Sequence, residues 1–177
     1  MMKTGVVFIL GLLGKLKSWV DKILSLSLIA IVGSMTLLVT YQVVARYVFN
    51  SPSAISEVLS RYLFIWLILL GSAYVFGLRE HMAITFVKDK FAPKIRTCVE
   101  MFIELVTVTF AIFIMVMGGY SSSVRQMMQL DSALQIPMGA IYAAIPICGA
   151  LMIFYFVYNE TKLINELLSE PAEQTKG

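Results

Sequence analysis

Five charged side chains lie within or beside long apolar runs of this 177-residue sequence, and their types and spacing limit the chemistry available there. They are Arg46, Glu57, Arg61, Glu100 and Glu104. An ionised side chain at the centre of a bilayer-spanning helix costs about 2.5–3.5 kcal/mol by insertion assays, so such residues are usually paired or functional. The chemistry open to them is an ion-paired clasp between helices, recognition of a partner, or movement of an ion or proton.

Three of these charges are expected to form one cluster at the outer edge of a membrane. Arg46 ends the first apolar run, and Glu57 and Arg61 open the second run after the turn signal at 50–53 (NSPS). Glu57 precedes Arg61 by four residues, which is the favourable order for an ion pair on a helix. The cluster either clasps the hairpin of the first two spans, docks an external partner, or does both. Arg125, after the third run, is a further docking candidate on the same side.

Glu100 and Glu104 share one face of the third run because they are also four residues apart. Two like charges at this spacing repel each other unless one is protonated or paired, and Arg96 is an available partner. The two acids therefore indicate either a polar interface with a neighbouring helix or an ion or proton site.

Arg79, Glu80 and His81 form an inner-face cluster after the second run, and His81 is the single histidine. A haem held between membrane helices typically needs paired axial histidines. The sequence has no zinc-ligand spacing, no glycine-rich phosphate loop and no G-x-S-x-G turn. We expect no metal, no cofactor and no enzymatic activity.

These charges are held by four uncharged runs, at 23–45, 62–78, 105–124 and 132–159. About 20 apolar residues in a helix cross a hydrocarbon core roughly 30 Å thick, and a helix satisfies its own backbone within lipid. With 59% hydrophobic and 14% charged residues, the chain is predicted to be an all-α integral membrane protein of one domain, 1–177. The predicted spans are about 23–49, 54–78, 95–120 and 136–158, followed by a cytoplasmic tail at 160–177.

Lysine and arginine concentrate before the first span, between the second and third spans, and in the tail. The positive-inside rule then places both termini in the cytoplasm, as an even number of spans requires. Amphipathic helices are predicted before span 1 (6–22), lying in the membrane interface or leading into that span, and in the interface between spans 2 and 3 (82–92). The basic residues lie where phospholipid headgroups would meet them, and a nucleic-acid partner is not needed to explain the net charge of +3.

An ordered set of short elements resembles the small membrane subunit of tripartite ATP-independent periplasmic (TRAP) transporters. In order, the elements are 41–49 (YQVVARYVF), Glu57, Arg61, 64–66 (FIW), Gly71 and 79–82 (REHM). The resemblance implies a scaffold subunit of the bacterial inner membrane that packs against a large membrane subunit. It further implies sodium-coupled symport of an organic acid, either sialic acid or a dicarboxylate, delivered by a periplasmic substrate-binding protein.

Two other functions remain open at the level of the sequence. One is a self-sufficient, proton-coupled four-helix transporter with Glu100 and Glu104 as carriers. The other is a haem-carrying anchor of a redox enzyme, for which His81 is the single available histidine ligand. For the scaffold, we expect loss of Glu57 or Arg61 to weaken subunit assembly or stability more than loss of Arg125, because a buried charge without its partner is costly.

Overall fold

The computed structural model describes the backbone of residues 2–78 and 93–169, and the side chains of residues 10–78 and 102–162. The helices are α1 (Met2–Tyr47), α2 (Ala54–Leu78), α3 (Pro93–Phe110), a π-helix (Ala111–Gly118), α4 (Gly119–Arg125), α5 (Met138–Tyr142) and α6 (Ala144–Ser169). The described residues form no β-strand, although one isolated bridge joins Leu130 to Pro137. The all-helical prediction is therefore confirmed.

Among the described residues, four helical segments are long and apolar enough to cross a membrane: Leu10–Tyr47, Ala54–Leu78, Phe102–Arg125 and Met138–Lys162. The last two each combine consecutive helices. The predicted number of spans is thus confirmed, whereas their boundaries in the bilayer and the cytoplasmic placement of both termini remain predictions. Below, the end of the bundle that carries the α1–α2 turn is called the outer end, and the opposite end is called the inner end.

The first helix is a single unbroken element, so the segment 6–22 is continuous with the span that follows it. No proline interrupts it, and the lysines at 15 and 17 are compatible with a helix. That this segment lies in the membrane interface remains a prediction. The second interfacial helix, at 82–92, and the tail beyond 169 lie outside the described residues.

The last helix, α6, is the centre of the bundle, because α1, α2, α3 and the π-helix all pack against it. One core cluster consists of Leu24, Leu70, Phe76 and Tyr155, which joins α1, α2 and α6. A second cluster consists of Ala73, Ala111, Met115 and Cys148, which joins α2, the π-helix and α6. The bundle is therefore organised around two faces of α6.

The third and fourth spans depart from regular α-helix where they meet. The third span widens into the π-helix, and the fourth is interrupted at Ala143 between α5 and α6. Pro146 has no backbone N–H to donate to the Tyr142 carbonyl, which weakens the helix at that turn. Gly149 lets the π-helix approach closely, since a Cβ there would lie 2.8 Å from Met115 Cβ.

Candidate functional site

The outer hairpin is closed by a short turn whose residues match its backbone. Asn50 has a φ of 46°, a left-handed conformation that asparagine tolerates better than most residues. Ser53 directly precedes α2, and its hydroxyl accepts from the Ser56 backbone N–H at 3.5 Å, while the Ser56 hydroxyl donates to the Ser53 carbonyl at 2.9 Å. The turn reverses the chain, so that α1 and α2 pack side by side as an antiparallel pair, with Arg46 before the turn and Glu57 after it.

The side-chain clasp between these two helices is neutral. The Gln42 amide donates to the Ser56 carbonyl at 2.9 Å and to the Ser60 hydroxyl at 2.7 Å. Ser56 is buried and Ser60 is partly buried, so the amide supplies a hydrogen-bond donor to polar groups that are largely shielded from water. Sequence reasoning missed Gln42 because its partners come from the next helix, although its position within an apolar run was an available signal.

The predicted outer cluster of Arg46, Glu57 and Arg61 is brought together, but it faces outward. Arg61 donates to Glu57 at 3.2 Å, and the two side chains are 66% and 63% exposed. Arg46 and Glu57 line one groove of about 420 Å³ beside Tyr47. Within the described part of the chain, no ion pair joins Arg46 to Glu57. Because the pair is exposed in this chain, its loss should cost little folding stability, and the expected effect of Glu57 or Arg61 on subunit assembly remains a prediction.

The loop between α4 and α5 is held against α2 by Asp131, which sequence reasoning also missed. One carboxylate oxygen accepts from the Tyr62 hydroxyl, and the other accepts from the backbone N–H groups of Ala133 and Leu134, each at 2.9 Å. The hydrogen bond from Tyr62, followed by the backbone bonds, lowers the pKa of Asp131 below its ordinary value. The loop is thus pinned to the outer half of α2.

Arg125 lies at the end of α4 and is exposed beside this loop. Its helix, α4, is joined to α5 by a hydrogen bond in which the Ser123 hydroxyl donates to the Gly139 carbonyl at 2.7 Å. A Cβ on Gly139 would overlap the Ser123 carbonyl oxygen, so glycine permits the close approach of α4 and α5. Arg125 is therefore exposed on a helix that packs closely against α5, while its role in docking remains a prediction.

The polar residues predicted near the inner end are only partly described. Glu104 is partly buried in α3, with one carboxylate oxygen shielded from solvent. The side chains of Glu100 and of the cluster Arg79, Glu80 and His81 lie outside the described residues. No group of three or more potential metal ligands occurs among the described side chains.

A polar network that the sequence did not reveal joins α1 to α6 near the inner end. Lys17 donates to Asp21 at 2.7 Å, and the hydroxyl of Tyr155 donates to the other Asp21 oxygen at 2.6 Å. Lys17 also lies 5.6 Å from the ring centroids of Tyr155 and Tyr158, within the range of a cation–π contact. Gly77 gives Tyr155 its space, because a Cβ there would lie 2.5 Å from the Tyr155 ring.

Comparison with known proteins adds a family match to this geometry. The family model described as "Tripartite ATP-independent periplasmic transporters, DctQ component" matches residues 35–165. This range includes the outer hairpin, the pinned loop and most of α6.

Three individual proteins are also similar. One from Haemophilus influenzae, named provisionally as a TRAP transporter small permease protein, is 31% identical over 77% of this chain and 84% of its own length. The Vibrio cholerae sialic acid TRAP transporter small permease protein SiaQ is 28% identical over 82% of each chain. The Haemophilus influenzae sialic acid TRAP transporter permease protein SiaT is 30% identical over 84% of this chain but only 23% of SiaT.

Proposed function

We propose a scaffold and docking role for this chain on the premise that it belongs to the DctQ component family of tripartite ATP-independent periplasmic transporters. It is a small TRAP permease subunit of the bacterial inner membrane that partners a large permease, and it is a transport protein rather than an enzyme. In our proposal it braces the large permease, which carries the substrate and sodium sites, and receives a substrate-loaded periplasmic binding protein.

The observation that carries the proposal is the match to the family over residues 35–165. The comparison with SiaT supports the pairing with a larger chain, because the region similar to this protein makes up only 23% of that permease. In SiaT, a region of this kind is covalently joined to a much longer polypeptide. We infer that the corresponding region of this protein does the same work beside its large permease.

The substrate that we propose is an organic acid, with sialic acid first and a dicarboxylate second, taken up with sodium. The names of SiaT and SiaQ specify sialic acid for those two proteins and support this order. No residue of this chain is assigned to substrate or sodium, since we place both sites on the large permease.

The outer end is the proposed docking surface for the binding protein, given the orientation that the positive-inside rule predicts. Arg46, Glu57 and Arg61 face outward there, and Arg125 is exposed on the adjacent helix. Exposed charges contribute little to folding but can steer a charged partner and fix its orientation. The neutral Gln42 clasp leaves these charges available.

Reconstitution with the large permease tests this function directly. We expect the two membrane subunits to co-purify, and proteoliposomes to take up sialic acid only when a sodium gradient and loaded binding protein are both present. This chain alone should transport nothing, which also tests the self-sufficient alternative. Failure to co-purify, or uptake by this chain alone, would contradict the proposal.

The docking part has its own matched pair of variants. Arg46→Glu should lower uptake at limiting binding protein without reducing co-purification, whereas Arg46→Lys keeps the charge and should retain most uptake. Equal uptake by both variants would remove Arg46 from the docking surface while leaving the scaffold role intact.

A further inference from the structure

We propose that the outward side of α1 is a docking seam for one helix of the large permease, an inference that rests on the proposed function. The seam starts at Leu12 and recurs at alternating intervals of four and three residues as far as Tyr47. Every position in this series is exposed. Alternation of this kind is how one helix presents a continuous stripe to a second helix.

The seam lies away from the rest of the bundle. Leu24, Leu28 and Ile31 of α1 pack against α2 and α6, and they belong to the opposite side of the helix. Gly33, at the middle of the seam, would have no atom within 4 Å of an added Cβ. The seam is therefore unoccupied by the other described helices.

The inner part of the seam distinguishes a protein partner from lipid. Within the hydrocarbon core any helix is apolar on all sides, so exposure there indicates nothing beyond lipid contact. Between residues 12 and 22 polar residues are present, yet the seam keeps Leu12, Leu16 and Trp19, which are 65%, 51% and 70% exposed. Lys15 and Lys22 lie on the adjacent flank. Within residues 12–22, the exposed apolar residues therefore form one stripe along the helix and the exposed lysines form a separate stripe beside it.

The length of α1 places this inner part beyond the lipid tails. The uncharged stretch 23–45 rises about 33 Å, which already fills a hydrocarbon core of roughly 30 Å. We take α1 to cross the bilayer as one straight helix, so that 6–22 leads out of the membrane instead of lying in its interface. Leu12 then lies about 16 Å farther along the helix, past a headgroup layer of about 5–8 Å on each side. A tilt of about 20° shortens that distance by only about 1 Å. Leu12 and Leu16 would face water unless a second apolar surface covered them.

The two lysines beside the seam, Lys15 and Lys22, indicate the charge that the partner helix should carry. Lys15 and Lys22 each come directly before a seam residue, at the position where coiled coils form ion pairs between helices. Ala30 and Gly33 are small enough to let a second backbone approach midway along the seam. The partner is therefore an apolar helix of the large permease with acidic side chains beside Lys15 and Lys22.

Site-specific photo-cross-linking in the co-expressed complex tests the seam. A photoreactive phenylalanine analogue replaces Leu12 or Leu16 on the seam, or Ser18 as an exposed control off the seam. We expect cross-links to the large permease from the two seam positions and none from Ser18. Cross-links to a second copy of this chain, cross-links to lipid alone, or equal cross-linking from Ser18 would each overturn the proposal.

A charge placed on the seam gives an independent measurement. Leu16→Lys should reduce the large permease that co-purifies at least fivefold, while Ser18→Lys adds the same charge off the seam and should leave it unchanged. If the unaltered chain never co-purifies, the proposed function fails. If the complex forms but Leu16→Lys has no effect and no seam cross-link appears, only the seam is wrong.

Discussion

Two ion pairs with the same four-residue spacing occupy opposite ends of the bundle. At the inner end, Lys17 and Asp21 are 2.7 Å apart, with side chains 16% and 23% exposed. At the outer end, Glu57 and Arg61 are 3.2 Å apart and about two-thirds exposed. Only the outer pair has the acid first, the order that favours an isolated helix. The inner pair is nevertheless the closer and better shielded of the two.

The two pairs differ in distance and exposure because a third residue, Tyr155, contacts the inner pair, and not because of their spacing along the helix. Tyr155 of α6 donates to Asp21 and covers Lys17 with its ring, so the inner pair belongs to a contact between two helices. The Glu57–Arg61 pair involves α2 alone, and the side-chain clasp beside it is the neutral Gln42 amide. We conclude that the inner charges hold the fold, whereas the outer charges are available to a partner.

Removal of the inner acid should have the largest effect on stability. Asp21→Ala would leave both Lys17 and the Tyr155 hydroxyl without their acceptor in a shielded site. We expect a loss of about 3 kcal/mol, near the lower limit for a broken buried pair because Asp21 is partly exposed. Asp21→Asn retains an oxygen acceptor for Tyr155 and should lose less. Equal melting temperatures for Asp21→Ala and the unaltered protein would remove the distinction between the two ends.

Crowding the same network is expected to have the next largest effect. In Gly77→Ala the new Cβ would lie 2.5 Å from the Tyr155 ring, which is fully buried. Displacing such a ring should cost about 2 kcal/mol, as overpacked cores do. Gly71→Ala is a matched control on the same helix, because its Cβ would meet Leu28 at an ordinary 3.9 Å. If thermal unfolding affects both variants equally, the loss reflects helix content and not Tyr155.

At the outer end, the neutral clasp should matter more to folding than the charge one turn away. Gln42→Ala leaves the Ser56 carbonyl and the Ser60 hydroxyl without this donor, and we expect a loss of about 1 kcal/mol. Arg46→Ala removes an exposed charge and should change stability by less than about 0.5 kcal/mol. A larger effect for Arg46 in thermal unfolding would indicate that the outer charges also hold the fold.

The sequence predicted the helices well because apolar runs are a local signal. Four uncharged stretches indicated four spans, and the described part of the chain has four helical segments of sufficient length and hydropathy. The turn after Arg46 was predicted equally well from residues 50–53, because asparagine, serine and proline are typical of turns. Each of these features depends on neighbours within a few positions of the chain.

The partners of individual polar residues were not predictable in the same way. Tyr155 meets Asp21 across 134 positions of sequence, and Tyr62 meets Asp131 across 69. Charge attracted attention to Glu57 and Arg61, whereas the side-chain contacts between helices come from Asp21 and Asp131 with their tyrosine partners and from the neutral Gln42 amide. The π-helix was also missed, since the space beside Gly149 that accommodates it depends on tertiary packing.

The pinned outer loop should show a pH dependence with a definite sign. The pKa of Asp131 is lowered in the folded protein, chiefly by the hydrogen bond from Tyr62, so its ionised form stabilises the fold above the ordinary pKa of about 4. That contribution is lost as the pH falls below about 4. We expect the difference in melting temperature between the protein and Asp131→Asn to shrink as the pH falls from 7 through that range. A constant difference would show that the Asp131 charge does not pin the loop.

The smallest expected effect on stability is at the exposed outer pair, where a large effect on function would be most informative. Glu57→Gln should change the free energy of unfolding by less than about 0.5 kcal/mol, because exposed pairs on a helix contribute about 0.3–0.5 kcal/mol. Arg61 would then lack its partner, and the surface proposed to receive the binding protein would gain positive charge. We expect the uptake rate in proteoliposomes to change at low ionic strength and to return toward that of the unaltered complex at high salt, where exposed charges are screened. An altered uptake rate that salt does not affect would place Glu57 in a contact other than electrostatic docking.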